Sequence, residues 1–309
     1  MDTDVGIIIV SFRSREDIAA CLASIGGAQL RARVVVVDNA SHDGTAELVQ
    51  RCFPEVTLLS SSRNIGFAAA CNTGVRASIG KYCLFLNPDV RLSGDAVEAL
   101  VRFAEENPKV GIVGPQVFNE DGRTLQLSCR SFPTIGSLFF NRFSLLSRVF
   151  PNNRWSRRYL LLTENIADPR AVDWVSGCCM LVRREALDSL QGFDEQFFLY
   201  SEDVDLCLRA RHAGWQTCYE PRTHVIHRIG ASSGGLRPII ERHRSVWRYY
   251  KKHMANGQKS LGGLVFLAIA VRCSALILAS LVAGVSERLF RLLGPCREGM
   301  KGSGGVAES

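Results

Sequence analysis

Two short runs constrain the fold of this chain most. Val5–Val10 and Val34–Val37 are almost wholly apolar and β-branched, as strands buried on both faces of a parallel sheet are. Between them, Ser14–Ser24 carries Ile18, Ala19 and Leu22 at helical spacing, with Ile25 just beyond. Strand, helix and strand within about 35 residues make a βαβ unit. The alternation continues: Asp43–Cys52 reads as helix, Val56–Ser60 as extended, and Ala68–Ile79 as a helix rich in small residues. Tyr82–Leu86 is a further buried strand ending in Asn87-Pro88-Asp89. Ala96–Glu106 is a helix stopped by Asn107-Pro108, and Val110–Val113 is a strand. An open α/β sheet binds ligands at the carboxyl ends of its strands. Asp38 and Asp89 both stand there.

The second half is less regular. Asn119–Leu127 holds Asp121-Gly122 at a hairpin turn. Ser131–Asp168, with Arg142, Arg148, Arg154, Arg157 and Arg158 among aromatics, has no clean period and reads as an acceptor-side loop or helical insertion. Order returns over Val172–Val182. A helix at Glu185–Leu190 stops at Gly192, and another runs from about Glu202 to Ala213, closed by Gly214. The Gly302–Ser309 tail reads as frayed.

At 309 residues the chain holds one large or two small domains. The expected division is 1–115, the first half of the α/β domain; 116–235, its second half; and 236–309, a basic and hydrophobic helical region with a flexible tail. The net charge of +7 suits nucleotide phosphates or an anionic membrane face as well as an ordinary solvated surface, and no nucleic-acid partner is expected. None of the eleven cysteines forms a C-x-x-C pair, so a zinc site is poorly supported and buried thiols in a reducing compartment are expected. Asp2 and Asp4 lead straight into the first strand without a basic n-region, which points away from a signal peptide and to the cytosol.

Five patches carry chemistry. In Val-Val-Asp38-Asn39-Ala-Ser41-x-Asp43-Gly44-Thr45, Asp38 can accept the N3–H of uracil or thymine; equally, Asp43 caps a helix and Asp38 is a turn residue. In Arg63-Asn64-x-Gly66-Phe67 through Asn72-x-Gly74, small residues let a helix N-terminus approach phosphate, or merely pack tightly. Asn87-Pro88-Asp89 presents a carboxylate on a rigid turn, suited to a hard cation that also holds phosphate oxygens, or to a turn alone. From Gly192-Phe193-Asp194-Glu195 to Glu202-Asp203-x-Asp205 and Arg209, five acids around a helix start exceed what capping requires. The helix dipole should keep Asp203 ionised and lower its basicity, so proton transfer to it would come late. In His224-x-x-His227-x-x-Gly230-x-Ser232-Ser233 either histidine is a ligand or a structural residue.

In order and spacing these patches resemble family 2 glycosyltransferases, and within them a bacterial rhamnosyltransferase-like branch, over roughly residues 5 to 252. The strongest matches are V-V-D-N-A-S-x-D-G-T, N-x-G-F-A-x-x-x-N-x-G, F-L-N-P-D and G-F-D-E-x-F-F-x-Y-x-E-D-x-D-L-C-x-R. The resemblance implies a GT-A fold, a Rossmann-like open mixed α/β sheet flanked by helices, here with a hydrophobic C-terminal helical segment. It implies that Ser11 and Asp38 line a nucleobase pocket with Asn39 beside it, and that Asn64, Gly66 and Asn72 shape the wall near the phosphates and sugar. Asp89 matches the last acid of a D-x-D-like motif holding Mg²⁺ or Mn²⁺, with Asn87 at its first position. His227 matches a later metal-contacting histidine. Asp203 matches the general base with Glu202 alongside, and Gly177 precedes the segment approaching the donor sugar. The donor would be a dTDP- or UDP-hexose, dTDP-rhamnose first. The acceptor would be a glycan or polyprenyl-linked glycan of cell-surface polysaccharide synthesis. One displacement would invert the anomeric carbon without protonation of the leaving group, which a glycosidase requires.

Leu261–Val285 holds 25 residues and one charge, Arg272. About 20 apolar residues span a bilayer; a central Arg costs roughly 2.5 to 3.5 kcal/mol, which the surrounding aliphatics can offset. Ala268, Arg272, Ala275, Ala279 and Ala283 share one helical face, a stripe for close packing. Arg242, Arg244, Arg248, Lys251, Lys252 and Lys259 lie upstream, and Arg288, Arg291 and Arg297 downstream. Membrane association at the cytoplasmic face is expected; the alternative is a packing helix, as in a homo-oligomer interface. Two other classes compete. A sugar nucleotidyltransferase needs a Gly-rich N-terminal phosphate loop with Arg and Lys, which Val5–Arg15 does not read as. A non-catalytic binding protein has no use for Glu202-Asp203.

Overall fold

The computed structural model describes residues 5–26, 32–139, 154–159, 161, 167–228, 235–255 and 259–293. Arg142, Arg148, Gly230, Ser232, Ser233, Cys296, Arg297 and the Gly302–Ser309 tail lie outside the described residues.

The elements run β1 (Val5–Ser11), α1 (Ile18–Ile25), β2 (Ala32–Asp38), α2 (Thr45–Cys52), β3 (Thr57–Ser60), α3 (Phe67–Ala77), β4 (Tyr82–Leu86), β5 (Val90–Leu92), α4 (Ala96–Glu106) and β6 (Val110–Phe118). They continue with β7 (Leu125–Gln126), β8 (Cys129–Arg130), α5 (Ile135–Phe139), α6 (Arg154–Tyr159), β9 (Arg170–Val172), β10 (Trp174–Val175), β11 (Cys179–Arg183) and α7 (Arg184–Ser189). The last are α8 (Glu202–His212), β12 (Gln216–His227), α9 (Leu236–His253) and α10 (Lys259–Leu293). The main sheet is ordered β3-β2-β1-β4-β11-β6-β12-β5, with β7 on β6 and β9 on β12; β10 and β8 pair separately. β1 is parallel to β2 and β4, as the apolar runs require, while β11 enters antiparallel to β4 and β6.

Both faces of the sheet are covered, so the pleat sorts the core into two layers. Val5, Ile7 and Ile9 pack with Ile18, Leu22, Leu100 and Val101 on one side. Ile8, Val10, Val35 and Val37 meet Ala70, Cys71, Leu206 and Ala210 on the other. Each fully buried aliphatic side chain contributes roughly 1.5–3 kcal/mol. The small residues of α3 let it lie close to the sheet; a side chain at Gly74 would collide with Ile8.

Three elements differ from the sequence reading. The strand begun at Val110 continues to Phe118. Val172–Val182 breaks into three short strands. Most consequentially, residues 216–227 form the twelve-residue strand β12, parallel to β6 and antiparallel to β5. Its irregularity between Glu220 and His224 interrupts the period-two pattern that would announce it. Among the described cysteines none is bonded to another, and eight of them are buried.

Candidate active site

The carboxyl ends of β1, β2 and β4 open on a cleft of about 310 Å³. Its lining brings together Asn39, Asn64, Gly66, Asn87, Asp89, Gly177, Glu202, Asp203 and His227 with the aromatic rings of Phe12, Phe67, Phe198 and Tyr200. Ser11, Asp38 and Asn72 are not part of that lining. Ser11 is fully buried and donates from Oγ to Asp38 Oδ1 at 3.0 Å, while Ser41 donates to the same carboxylate from its hydroxyl and its N–H. Asp38 therefore sits beneath Asn39 as the knot of the β1–β2 loops. Asn72 holds α3 to the loop after α7: its Nδ2 donates to Phe193 O at 2.9 Å and to Glu195 Oε1 at 3.0 Å, and its Oδ1 accepts the Phe193 N–H.

Asn39, Asn64 and Gly66 form one hydrogen-bonded wall. Asn39 Nδ2 donates to Asn64 Oδ1 and Gly66 O, and Asn64 Oδ1 also accepts the Gly66 N–H. Gly66 has φ +91°, and a Cβ there would stand 2.8 Å from Phe198. The Phe67 N–H donates to Phe198 O at 2.7 Å, fastening this wall to the segment opposite.

Sheet register places Asp89 beside His227. His227 pairs with Val90 across β12 and β5, and the Arg228 N–H donates to Asp89 O at 3.0 Å. His227 Nε2 lies 3.3 Å from Asp89 Oδ1. Gln126, which the sequence reading missed, fixes this imidazole. Its Nε2 donates to His227 O at 2.8 Å, so its Oε1 is the atom 2.9 Å from His227 Nδ1. A carbonyl accepts only, so Nδ1 carries a proton and Nε2 is the ring nitrogen turned toward Asp89. From there Nε2 can donate a proton to the carboxylate or, without that proton, offer its lone pair to a cation shared with Asp89. The Asp121-Gly122 turn was the available signal: its register sets Val117 opposite Gln126.

Asp203 stands at the start of α8, after Tyr200 and Ser201, both in the left-handed region at φ 71° and 66°. Such backbone is costly outside glycine and is held by its surroundings. Asp203 Oδ2 accepts the Gly177 N–H at 3.1 Å and Oδ1 the Val204 N–H at 2.8 Å. Burial nonetheless raises its carboxyl above the usual aspartate range, outweighing those bonds and the charge of Arg130. This reverses the expectation of a base weakened by the helix dipole. Glu202 is 6% exposed, and burial followed by the charges of Asp203 and Asp205 pushes it well above the usual range. Its Oε2 has no hydrogen-bond partner. Asp205 behaves oppositely. Burial alone would raise it, but hydrogen bonds from His253 and Lys252, with Arg209, hold it at about 2. The acid-rich start of α8 thus divides in two, with Glu202 and Asp203 facing the cleft and Asp205 tying α8 to α9.

The Glycosyl transferase family 2 profile matches residues 6–191, more than half of the chain. The chain belongs to that family. This family 2 glycosyltransferase is 32% identical over 248 residues to an N-acetylglucosaminyl-diphospho-decaprenol L-rhamnosyltransferase of Mycobacterium tuberculosis, covering 75% of this chain and 78% of the relative. It is 29% identical over 232 residues to the rhamnosyltransferase WbbL of Escherichia coli, covering 72% and 83%. In fold it resembles the mannosyltransferase PcManGT of Pyrobaculum calidifontis, solved with GDP-Man and Mn²⁺. The TM-score is 0.58 at 20% identity, over 94% of this chain and 82% of that one. The GT-A fold follows, and with the family the transfer of a glycosyl unit.

Proposed function

We propose that this enzyme moves a hexosyl unit from a nucleoside diphosphate sugar, dTDP-rhamnose first, to a hydroxyl of a polyprenyl-linked glycan in cell-surface polysaccharide synthesis, with inversion. The observation that carries the reading is the convergence of Asp203, the Asp89–His227 pair and the Asn39–Asn64–Gly66 wall on one cleft. The rhamnosyl donor and lipid-linked acceptor are supported by what the mycobacterial and Escherichia coli relatives are named for.

The donor's nucleobase lies at the end built by Ser11, Asp38 and Asn39, and its phosphates lie against Asn64, Gly66 and Asn87. Asp89 and His227 would hold a Mg²⁺ or Mn²⁺ ion, for which a carboxylate and an oriented imidazole lone pair are a fitting donor set. Such an ion, when bound, offsets charge on the departing diphosphate. Asp203 accepts the proton of the acceptor hydroxyl as that oxygen bonds to the anomeric carbon and the bond from that carbon to the phosphate oxygen breaks. The N–H groups of Gly177 and Val204 keep its carboxylate aimed, and its raised pKa makes it a stronger base near neutral pH. Glu202, whose burial favours its neutral form, lines the cleft beside Asp203. A glycosyl nucleotide leaves without protonation, so no second carboxylic acid is required.

α10 is consistent with work at a membrane. Leu261–Val282 is long and apolar enough to cross a bilayer, with an 18-residue stretch of mean hydropathy 2.4 of which only 6% is buried. Leu264, Leu267, Val271 and Leu278 stand exposed. A packing helix within this chain would cover them. The test is a donor panel of dTDP-, UDP- and GDP-sugars with Mn²⁺ and a polyprenyl diphosphate-linked acceptor. Transfer with dTDP-rhamnose is expected; release of no nucleoside diphosphate from any donor would exclude the reading.

A further inference from the structure

The C-terminal helices gather a second set of cations that the transfer step leaves without a role. α9 is fastened along the Phe198–Tyr200 segment that lines the cleft. Ser245 Oγ donates to Leu199 O at 2.8 Å, the Arg237 guanidinium stands 4.8 Å over the Phe198 ring, and that of Arg242 stands 4.5 Å over Tyr200. α10 packs on α9, with Phe266 edge-on to Trp247 at 5.2 Å, and contributes Arg272, the one charged residue of Leu261–Val282. The Arg272 Nε is buried and has no hydrogen-bond partner.

His243 lies in the same interface at 5% exposure. Its Nδ1 donates to Ile239 O at 2.7 Å, and its Nε2 is likewise buried and unpartnered. Burial lowers its pKa, the Ile239 bond offsets part of that, and the positive charges of Arg272 and then Arg242 lower it further. α9 and α10 run back along one another from the Trp247–Phe266 contact, which sets the stretch carrying Arg242 and His243 against the stretch carrying Arg272. The acid on this stretch of α9, Glu241, is engaged by Arg244 at 3.0 Å. Among the described residues no ion pair reaches Arg237, Arg242 or Arg272.

Like charges brought together at the edge of an apolar helix, with the buried Nε–H of Arg272 unsatisfied, are complementary to an anion bearing a hydrocarbon tail. Guanidinium groups match phosphate oxygens in pairs and tolerate partial burial better than ammonium groups do. We infer that Arg237, Arg242 and Arg272 bind the diphosphate of a lipid-linked acceptor, with its tail along the exposed face of α10 that carries Leu264, Leu267 and Val271. The inference rests on the acceptor class proposed above. It places the acceptor sugar across Tyr200, three residues from Asp203, so the diphosphate site and the base lie at opposite ends of one short segment. An anionic phospholipid headgroup offers similar phosphate chemistry and is the rival source.

The test uses the full-length protein and the fluorescence of Trp247, which sits in the α9–α10 interface. It is titrated with phosphatidylcholine vesicles carrying either undecaprenyl diphosphate or a charge-matched amount of phosphatidylglycerol. The wild type should prefer the diphosphate vesicles. Arg272→Leu and Arg242→Gln should each weaken that binding about tenfold or more, as loss of a charge-assisted hydrogen bond implies. Donor hydrolysis and donor KM should stay unchanged, and circular dichroism should confirm the fold. Arg272→Leu makes the span more apolar, so simple loss of membrane partition cannot imitate the effect. Equal binding to both vesicle types by the wild type, or undiminished diphosphate binding by both variants, would overturn the site. Vesicle preference is read without sugar transfer, so failure of this site and failure of the transferase reading remain distinct.

Discussion

Replacing Gln126 with alanine removes the two hydrogen bonds that orient His227, at 2.8 Å to its carbonyl and 2.9 Å to its Nδ1. Each neutral bond of this kind contributes about 0.5–1.5 kcal/mol, so about 1–3 kcal/mol of orientation is lost. Outer-shell partners of metal-bound histidines change metal affinity by about 10–100-fold, which is about 1.4–2.7 kcal/mol and agrees with the count of bonds. The site retains Asp89, and the backbone pairing of His227 with Val90 persists, so binding should weaken rather than vanish. The assay is electron paramagnetic resonance titration of Mn²⁺ in the presence of dTDP. Gln126→Ala should raise the Mn²⁺ Kd by about 10–100-fold. Gln126→Glu keeps the acceptor at Nδ1 and should stay within a few-fold of wild type. If Gln126→Ala bound Mn²⁺ like wild type while His227→Ala did not, the reasoning from the imidazole's fixed tautomer would be refuted.

Other outcomes follow from the same site. Glu202 has a folded pKa raised above its unfolded value, so its ionisation opposes folding as pH rises through the folded value. Glu202→Gln should therefore raise Tm by a few degrees at pH 8 and by less at pH 4, measured by calorimetry, while transfer falls. Asp205 is depressed to about 2, so its stabilisation is present above the ordinary aspartate range and is lost as pH falls toward about 2. Asp205→Asn should lower Tm at neutral pH, loosen α9 in hydrogen exchange, and flatten the acid limb of the stability profile. Gly66→Ala places a methyl group 2.8 Å from Phe198 at a positive φ and should cost about 1–3 kcal/mol in denaturant unfolding.

Much of the fold was legible because double-sided burial leaves an apolar run that no other element needs. Tyr82–Leu86 and Ala96–Glu106 form at the boundaries their sequences mark. β12 was not legible, since the unbroken buried run from Thr217 to Pro221 shows no alternation and the register shifts between Glu220 and His224. It is nonetheless the strand that carries His227 to Asp89. Within the site, motif spacing identified Asp203, Asp89 and the Asn39–Asn64–Gly66 wall, which share the cleft. It could not separate groups that line the cleft from groups that hold it. Asn72 and Asp38 stand in the same motifs, yet the amide of Asn72 is spent on Phe193 and the carboxylate of Asp38 on Ser11 and Ser41. Gln126 has no local signature and gains its position from a hairpin register. The basicity of Asp203 depends on how much water the assembled fold excludes, which a helix position alone does not convey.

The central claim is that Asp203 takes the acceptor proton in a single inverting displacement. Asp203→Asn keeps acceptors for the Gly177 and Val204 N–H groups only in part, but it preserves side-chain volume while removing the base. With dTDP-rhamnose and a polyprenyl diphosphate-linked acceptor, the account predicts that kcat falls by about 10²–10⁴-fold. Mn²⁺ and dTDP binding should stay near wild type, and the residual product should carry the inverted anomeric configuration by NMR. Near-wild-type kcat in Asp203→Asn, or a product with retained configuration, would contradict it.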